Sequence, residues 1–173
     1  MLSGAAAREP AVRAALAGRR YVHLATHGFT DVSPERLLAG LVLSPPPAPA
    51  AGGEDDGVLE LFEIHRLALD CDLAMLSACE TAKGPRVAGE GSFALSRAFL
   101  AAGSRRVVAS LWKVDDRAAP LVVGRLFAAV AAADRGSRPC DYAGALRQAK
   151  LAVRRDPRWS DPFYWAPFVL SGR

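Results

Sequence analysis

The chain has 173 residues, of which 51% are hydrophobic, and a formal net charge of +4. That length supports one full core and is short for two, so a single domain over 1–173 is expected. Lys and Arg are dispersed in runs no longer than the pairs Arg19-Arg20, Arg105-Arg106 and Arg154-Arg155, which excludes the clustered basic face of a nucleic-acid binder. No apolar segment reaches the roughly 18 residues that span a membrane; the longest candidate, 118–133, is interrupted by Pro120 and Arg125. The opening MLSGAAAREP lacks the apolar centre of a signal peptide. The three cysteines, Cys71, Cys79 and Cys140, are odd in number and irregularly spaced, unlike a disulfide framework. Cys71 and Cys79 flank an extended segment of about 26 Å, far beyond the roughly 7 Å that a disulfide bridges. A reducing, cytoplasmic compartment is the expectation.

In chain order, Pro10 to Gly18 predicts a short helix rich in Ala and Arg, with Gly18 placed to end it. YVHLAT, 21–26, predicts a strand ending at His27-Gly28, and 29–36 a loop in which Ser33-Pro34-Glu35 could start a helix. GLVLS, 40–44, and Gly57-Val58-Leu59 predict two short strands of a hairpin. The Pro- and Ala-rich tract 45–57 between them is expected to be a mobile surface loop. A helical turn at 61–67 leads to 69–78. There LAML, 73–76, is a continuous apolar run of the kind that forms a strand buried on both faces. Glu80, Thr81, Lys83, Gly84 and Pro85 are expected to end that strand, and 83–91 to form a loop. A helix over 92–102 places Phe93, Leu95, Ala98, Phe99 and Ala102 on one face, with Gly103 as its stop. RVVASLW, 106–112, predicts the next strand. Asp115-Asp116 opens a long helix, 117–133, with Pro120 in its first turns. A further helix, 141–154, precedes a closing strand PFVL at 167–170. Strands alternating with helices predict an α/β fold with a mostly parallel sheet and helices on both faces.

Two residues carry the chemistry. His27 follows one predicted strand and Cys79 another; if the strands are parallel neighbours, both surface at the carboxyl edge, where open α/β sheets bind ligands. A thiolate is the nucleophile of cysteine chemistry, and a histidine can hold or move its proton. The backbone N–H groups of Gly28 and Cys79 are candidate oxyanion donors. The histidine comes first, by 52 positions. Caspases place theirs about 50 residues ahead of a cysteine in an Ala-Cys context, and here the context is Ser77-Ala78-Cys79.

THG at 26–28, LSACETAKG at 76–84, GEG at 89–91, SRAFLAAG at 96–103, SLWKVDD at 110–116, ALRQAKLAV at 145–153 and DPFYWAPFVLSG at 161–172 together resemble the CHAT domain. This family comprises caspase-like cysteine peptidases related to separases, commonly found after TPR repeats. The resemblance covers nearly the whole chain. It implies a caspase-like three-layer α/β sandwich, His27 as base and Cys79 as nucleophile. A TPR-containing module or regulatory protein is the implied partner, and a protein or peptide the implied substrate. Family members usually carry further strand–helix units before the segment corresponding to 10–18, so an N-terminally shortened sheet is expected. By similarity to caspase-like folds, Glu80 and Ser110, Leu111 and Trp112 line the substrate groove, and Asp115 or Asp116 meets a basic substrate side chain. For the two acids, helix capping is the favoured alternative. Glu90 either orders the loop after Cys79 or caps the helix at 92.

Other chemistries are demoted. Gly89 to Ala94 matches a dinucleotide-binding pattern, but ten residues separate it from Ala78 rather than following the strand directly. Cys79 and Arg86 enclose six residues, one more than a phosphatase phosphate loop holds. His23 and His27 on one strand lie about 13 Å apart, too far to share a metal. His65 has no partner in sequence and is read as a surface or groove histidine. No metal, cofactor or membrane contact is expected. The leading expectation is a cysteine endopeptidase with a His27–Cys79 dyad. The alternatives are a catalytically silent interaction module and a thiol redox or acyl-transfer site needing only Cys79.

Overall fold

The computed structural model describes residues 1–33, 36–47, 55–77, 79–83 and 90–173. They divide into two compact units, Met1–Trp112 with Ser171–Arg173, and Lys113–Leu170. The first unit holds α1 (Glu9–Leu16), β1 (Tyr21–Leu24), β2 (His27–Ser33), β3 (Arg36–Val42), β4 (Val58–Glu60), α2 (Leu61–His65), β5 (Leu73–Leu76), β6 (Cys79–Lys83), α3 (Glu90–Ala101) and β7 (Arg106–Ser110). The second holds α4 (Ala119–Arg135), α5 (Tyr142–Arg154) and α6 (Pro162–Trp165); β8 (Phe168–Gly172) starts in it and ends in the first.

Strands β1, β5, β7 and β8 form one sheet in that order, with β1–β5 and β5–β7 parallel. This mostly parallel, helix-flanked sheet is the α/β architecture expected of a caspase-like sandwich. All four residues of β5 are buried, which is why its sequence is a continuous apolar run rather than an alternating one. Helix α3 packs on β7 through a face including Leu95, Ala98 and Phe99, all buried in the core with Leu76 and Val107. Phe93, expected on that face, is 50% exposed instead. Gly103 ends the helix with φ +110°; a Cβ there would stand 1.9 Å from the Leu69 carbonyl oxygen, so only glycine fits.

A second sheet has the order β4-β3-β2-β6. Its β2–β3 and β3–β4 pairs are antiparallel, and β2–β6 is parallel. The β3–β4 pair bears out the hairpin expected around 40–44 and 57–59; the middle of the tract at its tip, 48–54, lies outside the described residues, as do Pro34 and Glu35. Two expectations are corrected. Residues 29–33, read as loop, are strand, because β2 finds an antiparallel partner in the apolar RLLAGLV of β3. Residues 79–83, read as the strand's end, form β6, because β2 offers it a parallel ladder. In both cases pairing overrides a polar composition.

Charged groups tie the pieces together. The Arg13 guanidinium bonds Glu9 at 2.9 Å and Glu63 at 3.2 Å, fastening α1 to α2. Burial pushes the Glu9 carboxyl above its usual range; Arg13 opposes this and neighbouring Glu63 adds to it. At the amino ends of the parallel strands, Asp72 accepts from Arg20, just before β1, at 2.6 Å and from Arg105, just before β7, at 2.7 Å. The hydrogen bond from Arg20 leads the causes holding the Asp72 carboxyl below its ordinary pKa.

In the second unit α4 and α5 pack together. The Asp141 side chain caps α5 by accepting from the Gly144 N–H at 2.9 Å. Lys150 Nζ donates to the Ala166 carbonyl at 3.2 Å, joining α5 to the end of α6.

Asp72 has a lowered folded-state pKa, so its contribution is present above its unfolded value of about 3.9 and is lost as pH falls through the lower folded value. Asp72→Asn is expected to cost about 1 kcal/mol at pH 7 in urea unfolding, small because both arginines face solvent. The gap between variant and wild type should close as the titration is repeated toward pH 3.

Candidate active site

The β1–β5 ladder pairs Tyr21 with Leu73 and Leu24 with Leu76. Strand β1 ends at Leu24 and β5 at Leu76; after an interruption β2 starts at His27 and β6 at Cys79. The second ladder opens with His27 opposite Cys79. Both pairings have the same 52-position offset, so the register runs unchanged through the interruption. The dyad positions are therefore register partners on adjacent strands, which lie about 4.8 Å apart, just past the carboxyl ends of β1 and β5.

His27 is exposed, and Gly28 beside it is buried on a strand flanked by β3 and β6. A groove of about 740 Å³ opens next to His27. Its walls include Val12 and Leu16 of α1, Leu24 and Thr26, Val42, and the N-terminal residues Met1 and Leu2. The Thr26 hydroxyl donates to the Val42 carbonyl, fixing the first interruption to β3.

A pair that the sequence did not suggest sits directly below the dyad. His23 Nε2 lies 3.1 Å from Ser77 Oγ, across β1 and β5. One edge of the ring meets solvent, yet the surrounding protein desolvates it enough to push its pKa down. The available signal was the register: His23 and Ser77 are 54 positions apart, close to the 52 of the ladder.

The other thiols are poor rivals. Cys71 is fully buried, and burial pushes its pKa up, which suppresses the reactive thiolate. Cys140 is half-buried in the second unit, and neither of the two is disulfide-bonded.

The remaining candidates are dispersed. Glu80 stands opposite Gly28 in the β2–β6 ladder. Ser110 is buried at the end of β7, Leu111 is half-buried, and Trp112 is 37% exposed. Asp115 and Asp116 belong to the second unit. The Asp115 carboxylate accepts from the Arg117 and Ala118 N–H groups at 2.8 and 3.1 Å, the capping role weighed for it above. Helix α3 begins at Glu90 itself, two residues before the predicted start; Ala78 and 84–89 lie outside the described residues. His65 is exposed at the end of α2. Among the described residues, no group of three or more His, Cys, Asp or Glu could hold a metal ion, and no helix is long and apolar enough to cross a membrane.

Comparison with known families decides the relationship: the CHAT domain family matches residues 1–173. The chain belongs to the CHAT domain family. It is 32% identical over 115 residues to tetratricopeptide repeat protein 28 of Mus musculus, covering 66% of this chain and 4% of that protein. To tetratricopeptide repeat protein 28 of Homo sapiens it is 26% identical over 197 residues, covering 99% of this chain and 8% of the relative. This CHAT domain thus spans less than a tenth of the length of the curated relatives it matches. Their names carry the TPR association that the sequence resemblance implies.

A histidine whose folded-state pKa is lowered contributes fully above its unfolded value of about 6.5, and the contribution is lost as pH falls through the folded value. The urea midpoint of the wild-type CHAT domain is expected to fall more between pH 7.5 and 5.5 than that of His23→Gln, which cannot titrate there.

Proposed function

We propose that this CHAT domain is a cysteine endopeptidase with a His27–Cys79 dyad, acting as one catalytic domain over 1–173. Cys79 Sγ attacks the scissile carbonyl carbon while His27 takes the thiol proton. The N–H groups of Gly28 and Cys79 stabilise the oxyanion. As the C–N bond breaks, the imidazolium returns its proton to the leaving amine; water then hydrolyses the thioester with His27 as base. Glu80, Ser110, Leu111 and Trp112 contact the substrate, and Asp115 or Asp116 receives a basic side chain. The site acts in a reducing, cytoplasmic compartment under the control of a TPR-containing module or regulatory protein. The observation that carries this reading is the register of His27 with Cys79 beyond the carboxyl ends of two parallel strands.

A second reading is a catalytically silent CHAT-type interaction module. It is favoured by the enclosure of Gly28 on a strand with neighbours on both sides, which puts its N–H within a sheet rather than facing a substrate.

Iodoacetamide labelling of Cys79, followed by peptide mass spectrometry against pH, tests the dyad. The expected thiol pKa lies below 8.5 and returns to about that value in His27→Ala. Incubation with a proteome-derived peptide library separates the two readings. Cleavage by wild type, abolished in Cys79→Ala and reduced at least about 10²-fold in His27→Ala, supports the peptidase; a depressed thiol pKa with no cleavage in the presence of a TPR-containing partner favours the silent module.

A further inference from the structure

We propose that His23 is a positioning residue: through its hydrogen bond to Ser77 it sets where Cys79 stands relative to His27. This deepens the dyad reading and rests on it. Strands β1 and β5 are anchored, since β5 is wholly buried and pairs with a neighbour on each side. Strands β2 and β6 start after them, at His27 and Cys79. Ser77 directly follows β5, two residues before Cys79. Two bonds reach this residue from β1: its N–H donates to the Leu24 carbonyl at 2.9 Å, and its hydroxyl meets His23 Nε2 at 3.1 Å. The backbone bond is available to any residue but proline. The side-chain bond needs a small hydroxyl at 77 and a polar nitrogen at the right reach at 23. It therefore adds a restraint on the peptide that leads into Cys79, specified by sequence at both ends.

The position of His23 fits this role better than direct catalysis. It stands one residue before the end of β1, paired with Met75, whereas His27 is paired with Cys79 itself. Its burial-lowered pKa keeps the ring neutral near pH 7, so the bond to Ser77 keeps one tautomeric pattern there. His23 and His27 also line the same groove, so a ligand seated beside the base touches the restraint as well.

The test is a double-mutant cycle on the full chain, read as iodoacetamide labelling of Cys79 against pH with a thermal melt recorded for every variant. His23→Ala and Ser77→Ala are each expected to slow labelling at pH 7 roughly threefold, an upward shift of about half a unit in the labelling midpoint. His23→Ala/Ser77→Ala should be no slower than either single variant, because one bond is lost in all three. His23→Gln, which keeps an amide able to bond Ser77, should restore the wild-type profile. Additive losses, an unmoved midpoint in both single variants, or a Gln variant as slow as the Ala variant overturns the proposal. If His23→Ala does not fold, Ser77→Ala against His23→Gln carries the same comparison: the first shifted and the second not supports the role, and any other pattern overturns it. His27→Ala is run in parallel. A midpoint that moves in His27→Ala alone overturns the positioning role and leaves the dyad standing; one that does not move in His27→Ala overturns both.

Discussion

One register offset organises the first unit. Residues 52 positions apart face each other from Arg20 and Asp72, through Tyr21 and Leu73, to His27 and Cys79. Three different forces hold it. A carboxylate between two guanidinium groups fixes the amino end. Burial of all four β5 residues fixes the middle, where a one-residue slip would turn every side chain to the wrong face. At the carboxyl end, the Ser77 N–H bonded to Leu24 carries the offset into the break. The register of position 27 with position 79 is thus tied to core packing some distance away.

The same register explains why a chain with three cysteines has one candidate nucleophile. Cys71 stands before β5, in the core, where desolvation raises its pKa. Cys79 stands after it, beyond the buried stretch and opposite a histidine. Eight residues of chain separate a cysteine in an environment that suppresses the thiolate from one whose backbone is in register with His27. The break residues matter because they end the dry ladder: Ser77 and Thr26 supply polar side chains where apolar ones would have extended the core.

The second sheet extends the chain beyond the carboxyl ends of β1 and β5. Gly40 on β3 lets the backbone of β4 and the ring of Phe29 approach so closely that a Cβ would lie 2.9 Å from each. That packing holds β2 against β3 and leaves its other edge to β6. In consequence His27 stays exposed while Gly28, one residue on, is buried.

The parallel strands, the helices at 10–18, 92–102 and 141–154 and the stop at Gly103 were all legible in the sequence. Each rests on local chemistry: an apolar run, a helical period or a positive-φ glycine. Motifs spread over the chain also revealed its CHAT kinship. Strands β2 and β6 were not legible, because their sequences, HGFTDVS and CETAK, are polar and become strands only through the ladders that neighbours offer. Nor was the His23–Ser77 bond. Sequence determined which groups the chain possesses and where its apolar strands and helices lie; the tertiary structure decided which positions stand in register, because register is a long-range property set by burial and charge at remote positions.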